Sequence, residues 1–121
     1  MEDRSILDSQ ITASSVQGGG ALFFFARRAR LNTVEVPLDD LGGSWSPAIS
    51  DSRYPQWIHV HFDGTLKTVS GIITQGRDGT DEWVTEYSVL YGNDGVNWKY
   101  VKDGNNLDAV SEFLQMGPLT N

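Results

Sequence analysis

The sequence predicts an all-β protein on three observations. Short apolar stretches bounded by Gly, Pro, Asn and Asp recur along the chain. The clearest of them, residues 57–62, alternates with the period of two that marks a strand. No segment sustains the i, i+3, i+4, i+7 spacing of a long amphipathic helix. In residues 57–62 the alternation places Ile58, Val60 and Phe62 on one face and Trp57, His59 and His61 on the other, with Pro55 before and Asp63-Gly64 after as breakers. Residues 69–75 are rich in β-branched side chains and close at Gly76, which reads as a second strand. Tyr87-Ser88-Val89-Leu90-Tyr91 alternates and runs into Gly92-Asn93-Asp94-Gly95. After that turn Trp98, Tyr100 and Lys102 alternate with Lys99 and Val101, completing a hairpin. Three stretches read as loops: residues 16–21 with a triple glycine, 33–46 with Pro37 and Asp39-Asp40, and 77–82. On a β scaffold such loops usually carry the function.

Composition narrows the classes. A chain of 121 residues is one domain, long enough to bury a core without a metal or disulfide to staple it. The absence of cysteine removes thiolate nucleophiles, CxxC redox chemistry, Cys-ligated zinc and iron–sulfur clusters together. A net charge of -7 repels phosphate backbones and anionic lipids at long range, so no nucleic-acid partner is expected. The longest apolar run, residues 21–26, is far short of the ~20 residues that span a bilayer, and Met1-Glu2-Asp3 lacks the basic character of a signal-peptide start.

Taken in order, Ser9-Gln10-Ile11-Thr12-Ala13-Ser14-Ser15, Ala29-Arg30-Leu31-Asn32, Gly43-Ser44-Trp45-Ser46-Pro47, Gln56-Trp57-Ile58, Ile73-Thr74-Gln75-Gly76-Arg77, Glu82-Trp83-Val84-Thr85-Glu86-Tyr87 and Asn93-Asp94-Gly95-Val96-Asn97-Trp98 resemble the discoidin family, also called the coagulation factor V/VIII type C domain. The resemblance implies an antiparallel jelly-roll β-sandwich of the galactose-binding-like kind, with ligand-binding loops gathered at one end. Motif order and alternation together name Ile58, Val60, Phe62, Ile72, Val89 and Trp98 as core. Family members commonly continue through an arginine-containing strand and a final strand. The expectation is therefore one domain over residues 1–121, incomplete at its C-terminus, with another chain completing the sheet or residues 107–119 folding back over it. Val110, Phe113, Leu114 and Met116 supply apolar material for that cover.

The same resemblance places the candidate ligand contacts on three loops: Gln17 and Leu22; Asp51, Arg53 and Tyr54; and Arg77, Asp78, Asp81 and Trp83. A carboxylate, a guanidinium and an aromatic face are the parts a saccharide site needs, giving paired hydrogen bonds to vicinal hydroxyls and a stacking surface for the sugar's C–H face. Leu22-Phe23-Phe24-Phe25 followed by Arg27, Arg28 and Arg30 invites a membrane reading instead. However, the family's two hydrophobic loop tips fall here at Gly20-Ala21 and at Asp78-Gly79-Thr80-Asp81. The phenylalanines therefore read as core and membrane binding as weak. Calcium is the one cofactor left open, at Asp78, Asp81 and Glu82, although a solvated acidic loop is the better reading. His59 and His61 share a strand face without a matching third ligand, and they read as exposed strand histidines. Asp39-Asp40 offers paired carboxylates with no Ser/His/Asp arrangement or GxSxG elbow beside them, so no catalysis is expected. The leading reading is a non-catalytic recognition and adhesion domain for glycans or glycoprotein surfaces, extracellular or at the cell surface as part of a larger protein. The alternatives are a peripheral phospholipid-binding module and a structural docking domain within a larger assembly.

Overall fold

The computed structural model describes residues 5–18, 22–49, 53–69, 71–101, 107–110 and 112–117. Among these the regular structure is strands and short 3-10 turns: β1 (Ile11–Ala13), β2 (Gln56–His61), β3 (Lys67–Val69), β4 (Ser88–Gly92), β5 (Lys99–Tyr100), β6 (Leu107–Val110) and β7 (Glu112–Gly117). Five strands form one sheet in the order β1-β2-β7-β4-β5, and β3 pairs with β6 in a second. Every strand pairing is antiparallel.

The sheet follows from alternation in β2. Gln56, Ile58 and Val60 are buried while Trp57, His59 and His61 are half-buried, so the residues that alternate in sequence alternate in burial. Register places Ile11 opposite Val60 and Ala13 opposite Ile58, which gathers the apolar face of β1 over that of β2. Among the described residues, Ile11, Phe24, Ile58, Val60 and Leu90 are the buried hydrophobic core. Leu90 and His59 both pair with position 114 of β7, so Leu90 lies on the histidine face, and the sheet buries side chains on both sides. On that face His59 packs edge-on against Trp98 with ring centroids 5.1 Å apart, and His61 lies 4.1 Å from His59. The histidines expected to be exposed are thus half-buried in an aromatic cluster. Gly92 makes room for it: a Cβ there would stand 2.7 Å from the Asn97 carbonyl oxygen and 3.5 Å from the Trp98 ring. The turn between β4 and β5 is held by Asp94, whose carboxylate accepts from the backbone N–H of Asn97 (2.8 Å) and of Val96 (2.9 Å) and from the Asn97 amide (2.7 Å).

Two expectations fail around residues 69–75. The strand occupies Lys67–Val69 instead, and residues 71–77 take no strand pairing. Ile72 and Ile73 are exposed, so Ile72 does not belong to the core, and Phe62, Val89 and Trp98 are half-buried. The reason is partnership: β-branched residues favour a strand where a pleated neighbour covers them, and the β3–β6 register ends at Val69 opposite Leu107. Residues 107–117 supply two strands of the sheets themselves, β7 lying between β2 and β4.

Strand direction positions the loops. β2 and β4 each run antiparallel to β7 between them and are therefore parallel to each other, while β1 runs antiparallel to β2. The exit of β1 and the entries of β2 and β4 consequently share one end of the sheet. The loops after residue 13, before residue 56 and before residue 88 meet there.

Candidate ligand-binding loops

Where β1 ends and β2 begins, buried Gln56 ties two loops together. Its Oε1 accepts from the hydroxyls of Ser14 (2.9 Å) and Ser15 (2.6 Å), and its Nε2 donates to the Tyr54 carbonyl oxygen (2.9 Å). Ser15 also binds the next loop, its hydroxyl accepting from Ala48 N–H and its carbonyl from Trp45 Nε1–H, both at 3.0 Å. Gln17 follows, donating its N–H to the Ser46 carbonyl (2.8 Å) and accepting from Phe24 N–H (3.1 Å). Its side chain is left exposed, and Leu22 beyond it is half-buried.

Phe24 carries the third loop. The Arg77 guanidinium lies over the Phe24 ring, 4.6 Å from its centroid, and pairs with Glu82 at 2.7 Å and Glu35 at 3.5 Å. The Arg77 N–H donates to the Glu82 carbonyl (2.8 Å), closing the loop on itself. Glu35 N–H approaches the Asp78 carboxylate (3.3 Å), and Asn32 N–H donates to the Gln75 side chain (2.7 Å). Gly42 is required beneath Phe24, because a Cβ at that position would overlap the ring. The Arg77 side chain is only 19% exposed. With a ring on its face and carboxylates on its edge, it organises the loop end rather than reaching out from it.

What faces solvent is a different set. Tyr54 and Trp83 are 58% and 51% exposed. Arg53 stands beside the Tyr54 ring at 5.9 Å, and Asp78 and Asp81 are exposed next to Trp83. Asp51 lies outside the described residues. Glu35 and Phe24, which hold Arg77, escape sequence reasoning because both are distant from it along the chain. For Phe24 the adjacent Gly42-Gly43 is the local signal of a close approach, since a Cβ on Gly42 would overlap the Phe24 ring.

Two of the three arginines of the basic run are spent internally, and Arg27 is exposed. Arg30 is buried on Asp8 at 2.6 Å, Arg28 donates to the Gly42 carbonyl at 2.9 Å and to the Val34 carbonyl, and Arg27 stacks on Phe25 at 4.4 Å. Phe24 is buried, whereas the stacked rings of Phe23 and Phe25 lie nearer the surface. No group of three or more His, Asp or Glu suited to a metal occurs among the described residues. No described helix is long and apolar enough to cross a membrane. At the opposite end a groove of about 550 Å3 is lined by Ile6, Gln10, Phe62, Lys67 and Val69 among others, and none of the expected site residues reaches it.

Antiparallel sheets with three loops bound together at one end define a class, the all-β domain whose loops gather at one end of its sheets. The chain belongs to the F5/8 type C, or discoidin, domain family, which matches residues 10–118. Its all-β architecture is consistent with the galactose-binding-like fold of that family. Retinoschisin from Mus musculus is 39% identical over 110 residues, covering 87% of this chain and 46% of the relative. Human retinoschisin is 38% identical with the same coverage, and retinoschisin from Takifugu rubripes is 40% identical over 87% of the chain and 36% of the relative. The chain thus spans less than half the length of these relatives. The family is one of non-enzymatic binding and adhesion domains, extracellular or at the cell surface, which is consistent with the setting the sequence predicts.

Proposed function

We propose that this chain is a non-catalytic recognition domain that captures glycans or glycoprotein surfaces through its loop end, with Gln17, Leu22, Arg53, Tyr54, Asp78, Asp81 and Trp83 as the contact set, together with Asp51, which lies outside the described residues. The observation that carries the reading is the pairing of two exposed aromatic faces, Tyr54 and Trp83, with exposed polar side chains on loops that strand direction brings to one end. Aromatic faces stack on the C–H side of a sugar, and the carboxylates of Asp78 and Asp81 accept from its hydroxyls. Arg77 acts in this scheme as a positioning residue, holding the loop that bears them. A phospholipid surface is the weaker ligand, because Arg28 and Arg30 are engaged within the fold and the tip at Asp78-Gly79 is acidic.

A glycan array run beside co-sedimentation with phosphatidylserine vesicles tests the proposal. The expected result is glycan binding lost on Trp83→Ala and Tyr54→Ala with the fold intact. Silence on the array together with salt-resistant sedimentation would overturn it.

A further inference from the structure

The proposed glycan contacts leave unused the turn between residues 34 and 42. Its tip, Pro37–Asp39, is a 3-10 turn, and Leu38 at its apex is 98% exposed. A lone exposed leucine is ordinary. A leucine held out by a rigid frame is not, and this one is framed at every level. Val36 and Leu41 exchange backbone hydrogen bonds at 2.9 and 3.1 Å, Asp39 N–H bonds Val36 at 3.1 Å, and Asp40 N–H bonds Pro37 at 3.2 Å. Asp40 closes the turn in the left-handed region at φ 54°. Below, Phe23 bonds the returning leg through Asp40 (2.7 Å) and Gly42 (2.8 Å). The Arg28 side chain reaches both legs at once, donating to the carbonyls of Val34 and Gly42. Clamped at its base, the turn has lost beforehand most of the freedom that docking would otherwise cost.

We propose that this turn is a preformed docking knob whose occupant is a protein partner with an apolar socket rimmed by basic side chains, Leu38 filling the socket and Asp39 and Asp40 meeting the rim. Charge selects this occupant. Both residues following Leu38 in the turn are acidic and exposed, and the chain carries -7 overall, so an anionic bilayer and a second copy of the chain are both repelled. The knob is independent of the glycan reading, which draws on none of Leu38, Asp39 and Asp40.

The test pans a random dodecapeptide display library on the wild-type chain after depletion on Leu38→Ser, then titrates the recovered peptides. Leu38 touches too little for its replacement to disturb the fold, which thermal unfolding checks. The recovered peptides are expected to combine Lys or Arg with aliphatic or aromatic residues. Leu38→Ser weakens them by about tenfold to a hundredfold, the worth of one buried leucine. Asp39→Asn with Asp40→Asn, which keeps a residue tolerant of the left-handed turn, weakens them and flattens their salt dependence. Recovery of neutral or acidic peptides, equal binding by Leu38→Ser, or no recovery after depletion overturns the proposal. Leu38-dependent sedimentation with phosphatidylserine vesicles, or a Leu38-dependent dimer at sedimentation equilibrium, assigns the knob elsewhere and overturns it too.

Discussion

Arg77 shows how much a single residue's role depends on what surrounds it. In the sequence it stands in an exposed-looking acidic loop, where a guanidinium reads as a ligand contact. In the fold it lies on Phe24 between Glu35 and Glu82. Arg77→Ala is therefore expected to lower stability by about 1–2 kcal/mol, a charge-assisted pair discounted for its partial exposure, as read by chemical denaturation. Trp83→Ala should leave stability within about 0.5 kcal/mol while abolishing ligand capture. If Arg77→Ala kept full stability and Trp83→Ala did not, their roles would be reversed. Asp94 makes a second prediction at this scale. Donation from Asn97 N–H, then from the Asn97 side chain and Val96 N–H, lowers its pKa from 3.8 to about 2. A carboxylate depressed on folding stabilises above its unfolded pKa and loses that stabilisation as pH falls through the folded one. The Asp94→Ala variant should accordingly be less stable than wild type at neutral pH, with the gap closing as pH drops from about 4 to about 2. A gap constant across that window in parallel pH titrations of thermal stability would contradict the assignment.

Single elements divide according to whether a neighbour exists for them. β2 reads correctly from its alternation because both of its edges are paired, by β1 and β7, which fixes the pleat and so which residues share a face. Residues 71–75 also carry a β-branched signal and pair with no strand among the described residues. Ile58→Ala is thus expected to cost about 2–5 kcal/mol and Ile72→Ala under about 0.5 kcal/mol, a contrast that denaturant titration resolves easily. The Gly42 leg gives a further test, since a methyl group there overlaps the Phe24 ring that supports Arg77. Gly42→Ala should destabilise by about 1–3 kcal/mol, as overpacking does, and should loosen the loop end with it. Wild-type thermal stability in that variant would show that Phe24 is free to move aside.

For the whole molecule, the decisive fact is that β2 and β4 run the same way on either side of β7. That arrangement collects loops from three distant stretches of sequence at one end and leaves the Asp94 turn and the groove near Phe62 at the other. The outer strands of the larger sheet, β1 and β5, are three and two residues long, and short edges limit pairing with other chains. Alternation, turn residues and motif order along the chain are enough to give the all-β class, the two faces of β2, the Asn93-Asp94-Gly95 turn and the family. These rest on alternation, turn chemistry and local composition, all written within a few residues of one another. Long-range packing is what holds Arg77 on Phe24, leaves Ile72 exposed, turns Arg28 and Arg30 to the fold, and sets Leu38 clear at a clamped tip. Each of those outcomes depends on a partner far along the chain, or on the lack of one, and burial, salt bridges and hydrogen bonds of that range exist only once the strands have set the register that brings them within reach.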